Sequence, residues 1–143
     1  MSKPSLSSET IHGSTVAIDG RAVLISGFSG RGKSDLALRL IDRGAVLVSD
    51  DYTIVRRAGD GLVASAPPNI AGKIEVRGLG ILEMSSAVDV PVALLVDLND
   101  APERFPEAGE KRTLAGVPIA VVAVDARDAS APIKVELALK RIT

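Results

Sequence analysis

The sequence predicts an α/β domain built on a mixed β-sheet with few helices. Three observations carry that prediction. The stretch Gly27-Phe28-Ser29-Gly30-Arg31-Gly32-Lys33-Ser34 matches the phosphate-binding pattern G-x-x-x-x-G-K-[ST] and lies between an apolar run and a helical segment. Strand-like runs are many, while only two segments read as helices, which argues against a fully doubly wound sheet. The chain has 143 residues, 46% of them hydrophobic and 24% charged, enough for one domain with a sizeable core. Its only aromatic residues are Phe28, Tyr52 and Phe105, so that core must be aliphatic.

In chain order, residues 1–9 are polar and are expected to be unstructured, and residues 10–143 form a single domain. Residues 15–18 read as a strand, and Asp19-Gly20 is a hairpin turn leading into a second strand at residues 22–26. A helix follows the glycine-rich loop. Leu36 and Leu40 share one face of it, as do Ala37 and Ile41, and Gly44 ends it. Arg39 and Arg43 complement the negative end of its dipole. A buried strand at residues 45–48 ends in Ser49-Asp50-Asp51. Residues 52–57 and 62–65 pair antiparallel across Ala58-Gly59-Asp60-Gly61. The run 74–81 alternates charged and apolar residues and is then broken by two glycines. In an extended chain Glu75 and Arg77 would share a face. Buried strands are expected at 92–96 and 119–124, with a charged, proline-containing excursion or lid at 99–111 between them. Ser130-Ala131-Pro132 opens a last helix running to about Arg141, with Glu136 and Lys140 as an i,i+4 pair.

The glycine-rich loop points to chemistry. A loop joining a strand to a helix N-terminus aims backbone N–H groups and the positive end of the helix dipole at an anion. Lys33 would reach the terminal phosphates of a nucleoside triphosphate and the Ser34 hydroxyl would ligate Mg²⁺. Asp50-Asp51 closes a strand near that loop, and successive strand residues face opposite ways, so one aspartate can serve a metal and the other a nucleophile. An ordinary solvated turn pair would look the same. His12 is the only histidine and could relay a proton near neutral pH, and Gly13 beside it suggests close packing or a turn. One of Glu75 and Arg77 could ligate a metal and the other pair with a phosphate or with an aspartate, or both could belong to an exposed strand face with a bulge.

Composition narrows the partners. A net charge of −1 and the scarcity of aromatics offer neither the field nor the stacking platforms that nucleic acid requires, and no broad attraction to an anionic membrane. The chain has no cysteine, no signal-peptide pattern and no apolar run long enough to span a bilayer, so a cytoplasmic protein is expected.

Taken together, His12-Gly13, the Gly27–Ser34 loop, Asp50-Asp51 and Glu75-Val76-Arg77-Gly78-Leu79-Gly80-Ile81 resemble the catalytic domain of bacterial HPr kinase/phosphorylase, with good spacing from about residue 8 to residue 98. The resemblance implies a loop region similar to phosphoenolpyruvate carboxykinase and a hexameric assembly. It implies an ATP- and Mg²⁺-dependent kinase acting on a serine of HPr, and reversal by phosphorolysis with release of pyrophosphate. By matched position, Asp50 would be the general base, with His12 as its neighbour and Lys33 on the β and γ phosphates. Ser34 and Glu75 would bind Mg²⁺ with Asp51 nearby, residues 27–34 would hold the nucleotide, and the segment with Arg77, Gly78 and Gly80 would serve phosphorolysis. Longer relatives carry an N-terminal domain, and this chain resembles the compact form found in alphaproteobacteria. The family's R-P-G-R-N segment is replaced by residues 125–134, so its arginine is unassigned among Lys134, Arg127 and Arg112. A non-catalytic nucleotide-binding regulatory module and a small-molecule kinase are the alternative readings.

Overall fold

The structure is a computed structural model that describes residues 7–28, 30 and 32–142. Ten strands and two helices follow one another: β1 Ser8–Ile18, β2 Arg21–Ser26, α1 Lys33–Asp42, β3 Val46–Ser49, β4 Tyr52–Ala58, β5 Gly61–Ser65, β6 Lys73–Val76, β7 Gly80–Glu83, β8 Val90–Leu98, β9 Lys111–Leu114, β10 Val117–Val124 and α2 Ala131–Lys140. The sheet is mixed. β2, β8 and β10 are mutually parallel neighbours in the order β2-β8-β10, while β1 is antiparallel to β2 and β9 to β10. β1 begins at Ser8, inside the stretch expected to be unstructured, because Ser8 to His12 pair with β4. Residues 1–6 lie outside the described residues.

β1 divides its hydrogen bonding between two sheets. Its first half, Ser8 to His12, is laddered to β4, and its second half, from Gly13, is laddered to β2 and β3. β5 then pairs with the start of β8, so β1-β4-β5-β8-β2 closes into a ring. The alternation along β2 sorts the core into two layers. Val23 and Ile25 face α1 and α2, and pack with Leu36, Leu40, Leu94, Val96, Val135 and Leu139. Ala22 and Leu24 face the other way, with Val48, Val55, Leu62 and Leu95.

Gly13 stands at the crossing point. A Cβ there would lie 2.6 Å from the Ile25 carbonyl oxygen, so β1 and β2 approach each other more closely than any side chain allows. The close packing expected of Gly13 is therefore its role, and no turn is involved. The Asp19-Gly20 turn forms as expected, with both residues at positive φ. At the end of α1 the Gly44 N–H bonds to Ile41 O and the Ala45 N–H to Leu40 O, the paired pattern of a Schellman cap.

Two expectations need correction. The 74–81 run is a separate β6–β7 hairpin turning at residues 77–79, closed by the Leu79 N–H on Val76 O, so Arg77 lies in the turn and does not share an extended face with Glu75. Ile74, 1% exposed, is what anchors the hairpin in the α1 core layer. Glu136 does not serve Lys140. It takes a two-pronged contact from Arg43 at 2.7–3.1 Å, which ties α2 to α1 and raises the Arg43 pKa through that hydrogen bond.

Gly13→Ala should lower stability by about 1–3 kcal/mol, because the strands must part or strain to admit a methyl group. Urea unfolding followed by far-UV circular dichroism measures it, and a midpoint equal to the wild type would contradict the close approach.

Candidate active site

The carboxyl ends of parallel strands in an open α/β sheet are where ligands bind. Here Ser26 at the end of β2 leads into the glycine-rich loop and α1. Gly32 caps α1 in the left-handed region at φ 92°, which admits glycine without strain. The first helical bond runs from the Leu36 N–H to Gly32 O, so the N–H groups of the first turn (Lys33, Ser34 and Asp35) have no partner within the helix and point toward the loop. Lys33 is 7% exposed, and its Nζ donates to Gly27 O at 3.0 Å and Phe28 O at 3.2 Å, so the ammonium sits inside the curve of the loop. Ser29 and Arg31, expected to hold nucleotide with Gly27, Phe28 and Gly30, lie outside the described residues.

Asp50 is the centre of the polar network. It is 6% exposed and accepts three hydrogen bonds, from Ser14 Oγ at 2.7 Å and Ser34 Oγ at 2.6 Å on Oδ1, and from the Glu75 N–H at 2.9 Å on Oδ2. A buried carboxylate is tolerable only with such donors. The three come from β1, α1 and β6, so the carboxylate joins the crossing point of β1, the phosphate-loop helix and the hairpin. Asp51 turns the opposite way. It adopts φ 70° at the corner between β3 and β4, and its carboxylate meets His12 Nε2 at 3.0 Å. The His12 ring in turn stacks on Tyr52, with centroids 5.0 Å apart and planes 22° apart.

The site residues read from the sequence are thus regrouped. Asp50, Ser34 and the Glu75 backbone converge beside Lys33, while Asp51 and His12 form a separate exposed pair one residue away. Among the described residues no three His, Cys, Asp or Glu side chains come together as a metal cluster. The Ser34 hydroxyl and the Asp50 carboxylate, bonded to each other at 2.6 Å, are hard oxygen donors of the kind that suit Mg²⁺. Arg77 and Gly78 lie in the hairpin turn, and Gly80 opens β7.

Three cations were open as a replacement arginine. Arg112 pairs with Asp97 at 3.5 Å and Lys134 with Asp128 at 3.1 Å. Arg127 holds Asp125 in a two-pronged contact that pulls the Asp125 pKa down to about 2, and its Nη2 also reaches Asp100 O. The segment carrying Arg127 is the one against the phosphate loop, since a Cβ on Gly32 would sit 3.4 Å from the Ala126 Cβ. Arg39, read from the sequence only as a dipole partner, clamps that segment by donating to Ala126 O at 2.6 Å and Asp128 O at 3.3 Å. Ser14 was also missed. Its one sequence signal is a hydroxyl at the start of an apolar strand, directly after His12-Gly13.

Two surface depressions, of about 470 and 380 Å³, are lined by residues such as Asp19, Gly44 and Asp89, or Arg21, Lys111 and Ile142. Neither includes a residue of the phosphate loop or the Asp50 network.

A P-loop on a mixed sheet, with a buried aspartate bonded to the loop serine, defines a class of phosphate-handling α/β domain. The chain belongs to the HPr Serine kinase C-terminal domain family, whose model matches residues 5–131. It is 48% identical over 77 residues to an HPr kinase/phosphorylase of Chlorobium limicola, covering 52% of this chain and 23% of that protein. It is 42% identical over 99 residues to an HPr kinase/phosphorylase of Alkaliphilus metalliredigens, covering 64% and 32%. The chain therefore spans a third or less of the length of these relatives. It also resembles the solved Hpr(Ser) kinase/phosphatase of Coxiella burnetii, with a TM-score of 0.79, 27% identity, and 93% and 95% of the two chains covered.

Ser14→Ala removes one donor from buried Asp50 and the acceptor of the Asp51 N–H. It should cost about 1–2 kcal/mol of stability, read as a lower guanidinium unfolding midpoint with an unchanged slope.

Proposed function

We propose that the chain is an Mg-ATP-dependent protein kinase that phosphorylates a serine of HPr, and that the same site removes the phosphate from phosphoserine-HPr by phosphorolysis, releasing pyrophosphate. The single observation that supports it most is the bond between Ser34 Oγ and Asp50 Oδ1 at 2.6 Å, which links the loop that cradles phosphate to a carboxylate able to accept a hydroxyl proton. The names of the relatives point to the same activity and the same acceptor.

Each residue then has a part. The loop amides and Lys33 would hold the β and γ phosphates, exchanging the Gly27 and Phe28 carbonyls for phosphate oxygens. Ser34 and Glu75 would hold Mg²⁺, and Asp51, kept on His12, would stand beside it. Bound Mg²⁺ would neutralise charge on the phosphates. Asp50 would take the proton of the acceptor serine as its oxygen attacks the γ phosphorus. The bond from that phosphorus to the β–γ bridging oxygen breaks, and the electron pair leaves with ADP. In the phosphorolysis an oxygen of inorganic phosphate attacks the phosphoserine phosphorus. The serine oxygen–phosphorus bond breaks, Asp50 returns the proton to the serine oxygen, and pyrophosphate leaves. His12 would orient Asp51, and the Arg77-Gly78 turn and Gly80 would flank the acceptor in the reverse step. A cytoplasmic location and assembly as a homo-oligomer, a hexamer by family resemblance, belong to the same reading.

Incubation with HPr, ATP and Mg²⁺ should add one phosphate to HPr, seen by intact mass. Asp50→Ala should lower the transfer rate at least about 100-fold, with ATP affinity by calorimetry within about threefold of the wild type. ATP binding without transfer by the wild-type protein would instead favour a nucleotide-binding regulatory module.

A further inference from the structure

At its crossing point β1 lies alongside the corner that carries the two aspartates. The Gly13 N–H bonds to Asp51 O at 2.8 Å, and Thr15 stands opposite Ser49 in the ladder with β3. Ser14, between them, is thereby set against Asp50. Side chains alternate along a strand, so Ser14 and Thr15 face opposite ways, and the Thr15 hydroxyl meets Thr53 Oγ1 at 2.9 Å instead.

Ser14 is fully buried and its hydroxyl is committed on both sides. Its proton goes to Asp50 Oδ1 at 2.7 Å, and its oxygen accepts the Asp51 N–H at 3.2 Å. That first bond decides how the two Asp50 oxygens are divided. A carboxylate oxygen has about two acceptor sites. Oδ1 takes both hydroxyls, from Ser14 and from Ser34 at 2.6 Å, and is full. Among the described residues Oδ2 takes the Glu75 N–H alone, which leaves it room for a further donor. The two serines also differ in freedom. Ser34 lies in the first turn of α1 at the phosphate loop and is partly exposed, whereas Ser14 is locked inside the sheet.

We propose that Ser14 is a positioning residue for phosphate transfer. By filling Oδ1 it fixes the Asp50 carboxylate so that Oδ2 is the oxygen that takes the proton of the acceptor hydroxyl. The proposal rests on the kinase reading above. Without Ser14 each oxygen keeps a single donor, Ser34 on one and the Glu75 N–H on the other. The carboxylate can then rotate about its Cβ–Cγ bond, and the acceptor hydroxyl meets an oxygen held in no single place. A general base must lie within hydrogen-bond reach of the proton it takes, so the loss falls on the chemical step and not on binding.

The test uses the full chain with HPr, ATP and Mg²⁺, and the variants Ser14→Ala, Ser14→Thr and Thr15→Ala. Thr15→Ala is the control, since it removes a fully buried hydroxyl from the next residue of the same strand without touching Asp50. In Ser14→Ala kcat should fall about 10- to 100-fold, with KM for HPr and ATP affinity within about threefold of the wild type. Ser14→Thr keeps the hydroxyl and should recover most of kcat. Thr15→Ala should keep the wild-type kcat while its unfolding midpoint falls. A second readout is independent of activity. Deuterium exchange of the Glu75 amide, followed by proton–nitrogen NMR, should be faster in Ser14→Ala and unchanged in Thr15→Ala, because Oδ2 of the same carboxylate holds that N–H. If no protein transfers phosphate yet the Glu75 amide responds in this way, the kinase reading fails and the hold of Ser14 on Asp50 stands. A wild-type kcat in Ser14→Ala overturns the proposal, as does an equal loss of kcat in Ser14→Thr or Thr15→Ala, or an unchanged Glu75 amide. A loss confined to KM or to ATP affinity overturns it too.

Discussion

The rest of the structure depends on how the Asp50 carboxylate is satisfied. A buried negative charge must find donors, and Asp50 finds them on three elements distant in sequence: Ser14 on β1, Ser34 on α1 and the Glu75 backbone on β6. None of these elements can shift without leaving a carboxylate oxygen short of a partner. The phosphate loop, the crossing point of β1 and the hairpin are therefore held in one fixed relation, which is what chemistry at a phosphorus atom needs.

The strand β1 makes this convergence possible. It changes partners between His12 and Gly13, from β4 to β2 and β3, and the chain between β3 and β4 must turn at the same place. Asp50 and Asp51 are the corner residues of that turn. The positive φ at Asp51 sends the two neighbouring carboxylates into different surroundings, one buried beside the loop serine and one exposed on His12. Two chemically identical side chains acquire distinct surroundings from one backbone torsion and the departure of one strand.

A second contact set secures the far side of the loop. Arg39 reaches from α1 to carbonyls of the β10–α2 connection, whose Ala126 lies against Gly32. Arg43 joins α1 to α2 through Glu136. Arg39 lies on α1 and Arg43 caps its C-terminal end, so the helix that the phosphate loop opens is tied to the β10–α2 connection and to α2. The hairpin has its own anchor in Ile74, which leaves Ile81 and Leu79 exposed.

Local chemistry determined a good deal by itself. The glycine pattern with Lys33-Ser34, the Asp19-Gly20 turn, the helix ended by Gly44 and the apolar runs of β2, β8 and β10 are each legible within a few residues, because turn geometry and burial periodicity are short-range. The order of motifs His12-Gly13, Asp50-Asp51 and Glu75 to Ile81 carried the family resemblance for the same reason. Which aspartate meets Ser34, that Ser14 completes the network, that Arg77 lies in a turn, and that Glu136 serves Arg43 were decided only by the tertiary structure. Those outcomes hinge on the point where β1 leaves one sheet for another, and on contacts between residues up to 93 positions apart. No local pattern encodes either, since each becomes favourable only once the two core layers have brought the strands together.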